Sequence, residues 1–230
     1  MGSFAYNMDC LEAMRKIPDK YFDLAVVDPP YGGGSQIVHV ERERETGFAA
    51  EPLTSRAAGV PGSAVGLTTT ISAARTGGKW AMKYQVQQGG VFSQDIRHWD
   101  IAPPPEYFNE LARVSKAQII WGGNYFDLPP TRCFLVWRKL NIPLEGFSMA
   151  PVEYAWTSFN DNAGMYECFS SGGNGRETRF HPTQKPVALY TWIFRKYAKP
   201  GDKILDTHLG SGSSRIAAYD MGLDFVGFEI

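Results

Sequence analysis

The sequence has little cysteine and no long apolar run. Its three cysteines, at positions 10, 133 and 168, are odd in number and show neither a C-x-x-C pair nor zinc-ligand spacing. A disulfide framework and a metal site are therefore not expected, and a reducing compartment is the simplest setting. No apolar stretch approaches the roughly 20 residues that cross a bilayer. The first residues also lack the basic and apolar segments of a signal peptide, so neither a membrane protein nor a secreted one is predicted.

The chain also lacks an excess of charge of either sign. It has 23 Lys and Arg against 24 Asp and Glu, a formal net charge of −1. This balance argues against a strongly basic nucleic-acid binder, although a local basic face is compatible with a neutral total. The 230 residues are enough for one domain with a sizeable core, and we expect a single domain over 1–230.

Short apolar runs alternate with amphipathic segments along most of the chain. Strands are predicted near 3–7, 23–27, 117–121, 133–137, 153–157, 203–206 and 224–228, and helices over 10–17, 104–114, 184–198 and 213–222. This alternation is typical of an α/β fold, with helices on both faces of a mostly parallel sheet of seven strands. The stretches 35–100 and 158–181 do not fit these layers and are predicted to be a long insertion and a loop region.

Polar residues follow several of the predicted strands directly. Asp28 and Gly122 come after two of them, and Asp206 and Glu229 end two others. Ligands of open α/β sheets bind beyond the carboxyl ends of the strands. The sequence therefore predicts that these residues share one edge of the sheet and form one site.

The segment LDTHLGSGSSRIAA, residues 205–218, has the layout of a nucleotide-type pocket. Asp206 ends a strand, Gly210 and Gly212 precede a helix, and Glu229 ends the next strand, where it could accept from ribose hydroxyls. Arg215 replaces the third glycine of G-x-G-x-x-G, and the negative charge of Asp206 would repel a pyrophosphate. A cationic ligand with ribose hydroxyls and no phosphate, such as S-adenosylmethionine, fits better. A glycine turn that only caps a helix is the alternative.

The segment VVDPPYGGG, residues 26–34, ends a buried strand with a carboxylate and a rigid corner. Two prolines cannot continue a strand ladder, so the Pro29 carbonyl is left free of sheet pairing beside the Asp28 carboxylate. Two adjacent acceptors suit an exocyclic amino group, which has two N–H donors. Tyr31 offers a flat face on which a base could stack. An ordinary β-turn is the alternative, since Asp-Pro-Pro is also good turn chemistry.

These segments together resemble the DNA methyltransferases that modify adenine N6 or cytosine N4. DPPY at 28–31 is similar to their catalytic motif, LDTHLGSGS at 205–213 to their cofactor loop, and HPTQKPVALYTWIF at 181–194 to the segment preceding that loop. WGGNYF at 121–126 and VEYAWTSF at 152–159 also resemble the family. The catalytic motif comes first and the cofactor loop last, an order that resembles the β group.

The resemblance implies a Rossmann-like methyltransferase fold, S-adenosylmethionine as cofactor and double-stranded DNA as substrate, and it leaves room for a homodimer. Residues 35–100 and 158–181 become the candidate DNA-recognition segments. The expected setting is the cytoplasm of a bacterium, or of the bacterial host of a phage. The implied catalytic residues are Asp28, Pro29, Pro30 and Tyr31. The implied cofactor-binding residues are Asp9, Cys10, Thr183, Lys185, Asp206, His208, Leu209, Gly210, Ser211, Gly212, Ser213 and Glu229.

Other activities stay open at this point. Cytosine N4 enzymes more often have Ser before the two prolines, so Asp28 favours adenine. RNA and protein-glutamine methyltransferases more often have Asn there and place the cofactor loop first. An NAD oxidoreductase is disfavoured by Arg215 and Asp206, and a non-catalytic DNA-binding module would not need both motifs. The family normally continues with a helix after the acid that corresponds to Glu229, whereas Ile230 is the last residue here.

Overall fold

A computed structural model describes residues 2–32, 100–145, 150–170, 181 and 183–230. In this part of the chain the strands are β1 Ser3–Asn7, β2 Phe22–Val27, β3 Ser115–Trp121, β4 Phe134–Lys139, β5 Val152–Thr157, β6 Gly164–Cys168, β7 Lys203–Asp206 and β8 Asp224–Glu229. The α-helices are α1 Cys10–Met14, α2 Pro105–Val114, α3 Val187–Tyr197 and α4 Ser213–Asp220. A short 3₁₀ helix, Gly123–Tyr125, follows β3. Every strand and helix predicted above is present, with ends shifted by a few residues.

The strands form one sheet in the order β1-β8-β7-β2-β3-β5-β4-β6. β5 runs antiparallel to both of its neighbours, and all other pairs are parallel. The mostly parallel α/β sheet is thus confirmed, but the prediction of seven strands is wrong because the sheet has eight.

The additional strand, β6, lies within 158–181, which was predicted to be a loop region. It is an edge strand that pairs in parallel with β4, and Met165 on it is 62% exposed. Its five residues, GMYEC, include a glycine and a glutamate and form no apolar run. A short edge strand of this composition is held by hydrogen bonds to its neighbour. Its own sequence therefore gives little indication that a strand is present.

Two hydrophobic clusters lie on opposite faces of the sheet, and β2 contributes alternately to both. Leu24 and Val26 belong to one cluster, with residues of α3 and α4, whereas Ala25 and Val27 belong to the other, with residues of α1 and α2. All four side chains are at most 1% exposed. Burial on both faces explains why this strand reads as an unbroken apolar run, and it confirms the prediction of helices on both faces.

Sequence signals for helix starts and core faces are seen in α1 and α2. Pro105 occupies the first turn of α2, where its missing N–H costs nothing, and Tyr107, Leu111 and Val114 face the core at helical spacing. The Asp9 side chain caps α1 by accepting from the N–H of Glu12 at 2.8 Å. Among the described residues, no helix is long and apolar enough to span a membrane.

The strands β8, β7, β2 and β3 are consecutive neighbours that run in the same direction. The carboxyl ends of these strands therefore lie at one edge of the sheet, where Glu229, Asp206, Asp28 and Gly122 are found. The predicted clustering of polar residues at one edge is confirmed, and this edge is the candidate site.

Candidate active site

Asp28 and Tyr31 contact each other at the end of β2. The Tyr31 hydroxyl donates to Asp28 Oδ1 at 2.8 Å. Burial and the Asp28 carboxylate both raise the pKa of Tyr31 well above its usual value, so the phenol stays protonated and remains a donor. Pro29 is buried and Pro30 half-buried between them. The corner therefore presents a carboxylate whose orientation is set by its own tyrosine.

The Tyr31 ring is packed among residues that follow β3. It stacks on Tyr125 with the ring centroids 4.8 Å apart and the planes 17° apart, and it meets Phe126 edge-on at 6.2 Å. Gly122 has φ +68°, and a Cβ there would lie 2.6 Å from both Cδ1 and Cζ of Tyr31. The segment WGGNYF thus needs its first glycine for both conformation and space.

Lys185 lies against the catalytic corner and is buried. Its side chain is 4% exposed, and its ammonium pairs with Asp28 Oδ2 and lies 3.1 Å from Glu153 Oε2. Its Nζ also lies 5.3 Å from the centre of the Trp121 ring. Burial alone would lower the pKa of Lys185, but Asp28 and Glu153 outweigh it and the net pKa is raised. Lys185 is thus a buried and paired charge, not a solvated one at a helix start, and its predicted contact with a cofactor stays a prediction.

Glu153 and Lys139 extend this set of charges, and the sequence interpretation gave neither a role. Lys139 Nζ lies 2.5 Å from Glu153 Oε1. Burial by itself raises the pKa of Glu153, but Lys185 and Lys139 lower it, and the net pKa is about 2. The sequence feature that could have indicated a role is Glu153 itself, which is the charged residue of the otherwise uncharged segment VEYAWTSF. Because β5 is antiparallel, the start of that strand lies at the same edge as the ends of the others.

Asp206 is buried at the end of β7 and holds the loop that follows. Its Oδ1 accepts from the backbone N–H of His208 at 3.1 Å, and its Oδ2 accepts from the Ser214 hydroxyl. Burial raises the pKa of Asp206 to about 7, although the two hydrogen bonds act in the opposite direction. The negative charge predicted beside the loop is therefore part of the loop's own framework.

The loop glycines take the conformations that glycine favours. Gly210 has φ +50°, and Gly212 has φ +76° at the start of α4, where a Cβ would meet nothing within 4 Å. The exposed Glu229 accepts from the Gly210 N–H at 2.6 Å. The Glu229 carboxylate and the glycine loop therefore meet across the ends of β7 and β8. The backbone at Gly212 borders open space.

The remaining loop residues have mostly internal partners. His208 Nδ1 lies 3.0 Å from the hydroxyl of Thr207, which lies 2.5 Å from the hydroxyl of the buried Tyr107. Burial lowers the pKa of His208 to about 4, so the imidazole is neutral near pH 7. Leu209 packs in the core against Gly227. The hydroxyls of Ser211 and Ser213 lie 3.0 Å apart, with Ser213 buried.

Asp9, Cys10 and Thr183 lie at the border of this edge. Asp9 is exposed and follows β1, whose neighbour in the sheet is β8. Burial and the Asp9 carboxylate raise the pKa of Cys10 to about 11, so its thiol is protonated and unreactive near pH 7. Thr183 Oγ1 lies 3.1 Å from Nδ1 of His181, and this ring lies beside Gly210. The segment 181–185 therefore reaches from the glycine loop to Asp28.

The structure thus brings Asp28, Tyr31, Lys185, Asp206 and Glu229 to one edge. The Gly32 N–H donates to Asp100 at 3.1 Å, so the residues that flank 33–99 meet next to the catalytic corner. The predicted recognition segment 35–100 lies outside the described residues except for its last residue, and 171–180 of the second segment also lies outside them. No group of three or more His, Cys, Asp or Glu able to hold a metal occurs among the described residues, and the three cysteines form no disulfide there.

A model of a known protein family matches the last part of the chain. Residues 136–230 match the N6_N4_Mtase family model, described as DNA methylase. A stretch of 52 residues is 36% identical to "Putative methylase YubD" of Escherichia coli (strain K12), and it covers 23% of this chain and 23% of that protein. The match thus spans less than a quarter of the curated relative's length.

Two solved structures resemble the whole chain. The cytosine-N4-specific PvuII DNA methyltransferase has a TM-score of 0.52 at 13% identity, over 100% of this chain and 82% of that one. TTHA0409 of Thermus thermophilus, titled "Putative DNA Modification Methylase", has a TM-score of 0.50 at 14% identity, over 99% of this chain and 89% of that one. At such identities the likeness concerns the fold. The chain has the fold of the S-adenosylmethionine-dependent methyltransferases, and its residues 136–230 match the DNA methylase family.

Proposed function

We propose that this chain is an S-adenosylmethionine-dependent DNA methyltransferase that methylates the exocyclic N6 of adenine in a specific DNA sequence. The observation that supports this most is that the Asp28–Tyr31 corner and the Gly210–Gly212 loop follow two neighbouring parallel strands, β2 and β7. An amino-binding corner and a cofactor loop are therefore adjacent, as a direct transfer between two ligands requires.

The glycine loop has properties that suit the cofactor. The backbone at Gly212 borders open space, and the exposed Glu229 carboxylate stands beside the loop to accept from ribose hydroxyls. Asp9 is exposed at the end of the adjacent β1 and would lie toward the adenine of the cofactor, with the backbone of Cys10. Asp206 and the loop residues 208–213 would line the methionine end, and Thr183 would lie near the carboxylate.

The catalytic corner would activate an amine that is a poor nucleophile. The lone pair of an aromatic amine is delocalised into its ring, and acceptance of both N–H hydrogens by Asp28 and the Pro29 carbonyl favours a tetrahedral nitrogen with a free lone pair. When bound, the cofactor would supply an electrophilic methyl group to this nitrogen, and the electron pair of the C–S bond would stay on sulfur. The nitrogen would then lose one of its two protons, and no covalent intermediate with the protein would be needed.

The target base would leave the duplex to reach this corner, at a cost of a few kcal/mol. Tyr31 would stack on it, in a place where the Tyr125 ring now lies. The segments 35–100 and 158–181 would contact the surrounding DNA, since Gly32 and Asp100, on either side of 33–99, meet beside the corner. In this proposal the protein acts in the cytoplasm of a bacterium or of a phage-infected bacterium.

Cytosine N4 is the second candidate for the methylated atom. The matching family model is named for both N6 and N4 methylation, and both bases present an exocyclic amino group to the same pair of acceptors. The carboxylate at Asp28, where N4 enzymes more often have Ser, is the feature that favours adenine. RNA and protein glutamine are further substrates that offer such an amino group.

The first test is transfer of label from radiolabelled S-adenosylmethionine to mixed-sequence duplex DNA, followed by nucleoside analysis. Label in N6-methyladenine is expected. Label in N4-methylcytosine would keep the reaction but overturn the base assignment. If the protein binds the cofactor and leaves DNA unlabelled, while RNA or protein is labelled, the DNA substrate is wrong.

The role of Asp28 is tested by Asp28→Ala with Asp23→Ala as the matched control. Asp28 directly follows β2 and Asp23 is the second residue of that strand, and each pairs with a lysine, but Asp23 lies at the opposite edge of the sheet, where it contacts Lys116. Asp28→Ala is expected to abolish methyl transfer and to leave cofactor affinity within a few-fold, whereas Asp23→Ala should keep both. Turnover that survives in Asp28→Ala would remove this residue from the mechanism.

A further inference from the structure

Four side chains of alternating charge form a continuous series that begins at the catalytic corner. In order they are Asp28, Lys185, Glu153 and Lys139. Lys185 pairs with Asp28 on one side and lies 3.1 Å from Glu153 on the other, and Glu153 lies 2.5 Å from Lys139. Two cations and two anions make the series neutral as a whole. The Lys139 and Lys185 side chains are 8% and 4% exposed, so water contributes little to their solvation.

A lysine ammonium this deeply buried is costly unless it is paired on all sides. Lys185 has two carboxylate partners and the face of Trp121, and these partners keep it charged. Removal of one member would leave an uncompensated buried charge, which is why such a series is conformationally rigid. The ammonium therefore has a defined place relative to Asp28.

The contacts of Asp28 leave it able to accept from a substrate. A carboxylate has about four lone-pair sites. The Tyr31 hydroxyl takes one on Oδ1, and the Lys185 ammonium takes one on Oδ2, which leaves one site on each oxygen. Two fixed donors on different oxygens also prevent the carboxylate from rotating.

We propose that Lys185 is a positioning residue for Asp28, held in place by Glu153 and Lys139, which keeps that carboxylate oriented toward the target amino group. This inference rests on the proposed function. It assigns Lys185 to the catalytic corner, whereas the resemblance places this lysine near the cofactor.

The charges around Asp28 explain why a cation is needed there. Tyr31 and Lys185 contact it directly, and Tyr107 on α2, Tyr190 on α3, Glu153 on β5 and Asp206 on β7 also belong to this electrostatic neighbourhood. Of these groups Lys185 alone is positive, and Glu153 and Asp206 are acids. Without Lys185 the Asp28 carboxylate would face other acids, with no cation among the described residues to balance its charge and hold its orientation.

The test is the single-turnover methylation rate of Lys185→Gln and of Lys185→Arg at saturating cofactor and DNA. Displacement of a reacting group by about 1 Å can lower a rate about 100-fold. We therefore expect Lys185→Gln to lower this rate by about 100-fold and Lys185→Arg, which keeps the positive charge, to restore part of it, with the cofactor Kd of both variants within a few-fold of wild type. Lys116→Gln is the control, because Lys116 pairs with Asp23 at the opposite edge and should keep the wild-type rate.

Lys139→Gln provides a second variant if Lys185→Gln does not fold. Without Lys139, the Glu153 carboxylate draws Lys185 toward itself and away from Asp28, so the rate at saturation should fall in the same way by a smaller factor. An unchanged rate at saturation in whichever variant folds would overturn the inference, and so would a loss confined to cofactor affinity. Wild-type protein without any methyl transfer would instead overturn the proposed function, so the two failures are distinguishable.

Discussion

Gly122 controls the position of Tyr31, the proposed base-stacking residue, so a single added methyl group there should disable the site. Its φ of +68° is a left-handed conformation, and its missing side chain makes room for the Tyr31 ring. In Gly122→Ala, the Cβ would lie 2.6 Å from Cδ1 and Cζ of the ring and closer still to Cε1, whereas carbon atoms pack at about 3.5 Å or more. The Tyr31 ring would therefore have to move by more than about 1 Å, away from its hydrogen bond to Asp28.

Two costs follow from this change and can be separated. The left-handed conformation costs a residue with a Cβ about 1–2 kcal/mol of stability. Displacement of the ring also loses its stacking on Tyr125, worth about 0.5–1.5 kcal/mol, and a misplacement of about 1 Å in an active site can lower the rate about 100-fold. We expect Gly122→Ala to show both the loss of stability and a loss of kcat of about 100-fold.

The matched control is Gly201→Ala. Gly201 has φ +86°, and a Cβ there would meet nothing within 4 Å, so this variant carries the backbone cost without the clash. Chemical denaturation and single-turnover methylation of both variants form the assay. Similar losses of stability with a large difference in rate are expected. If Gly122→Ala methylates as fast as Gly201→Ala, the position of the Tyr31 ring does not matter for the reaction.

Two further predictions concern titratable groups near the cofactor loop. Because burial raises the pKa of Asp206 from 3.8 to about 7, the folded state binds its proton more tightly than the unfolded state, and this contribution to stability is lost as the pH rises from about 4 through 7. In Asp206→Asn the Tm should fall less than in wild type between pH 5 and 8, measured by thermal melts, and identical profiles would contradict the assignment. Because burial raises the pKa of Cys10 to about 11, its alkylation by iodoacetamide at pH 7.5 should be on the order of 100-fold slower than that of an unperturbed thiol. Peptide mapping measures this rate, and rapid labelling of Cys10 in the folded protein would refute it.

Local patterns were enough to predict the elements and the edge where the site lies. The unbroken apolar run of β2 indicated a strand buried on both faces, and the glycines at 210 and 212 indicated a turn into a helix. Such patterns can be recognised in a sequence because hydrophobic periodicity, helix capping and turn chemistry each depend on only a few neighbouring residues. The placement of Asp28, Asp206 and Glu229 at one edge then followed from the direction of parallel strands alone. The edge strand β6 was missed because its pairing with β4, and not its composition, holds it.

The partners of the catalytic corner were decided by the tertiary structure. Lys185 lies 157 residues from Asp28 in the sequence, and nothing local to either residue indicates that they pair. Glu153 joins them because β5 runs antiparallel and brings its first residues to the edge where the other strands end. Tyr125 covers Tyr31 because Gly122 turns the chain back over the ring. Sequence patterns are local, whereas the charge balance and stacking of this site depend on contacts between strands and helices that only folding brings together.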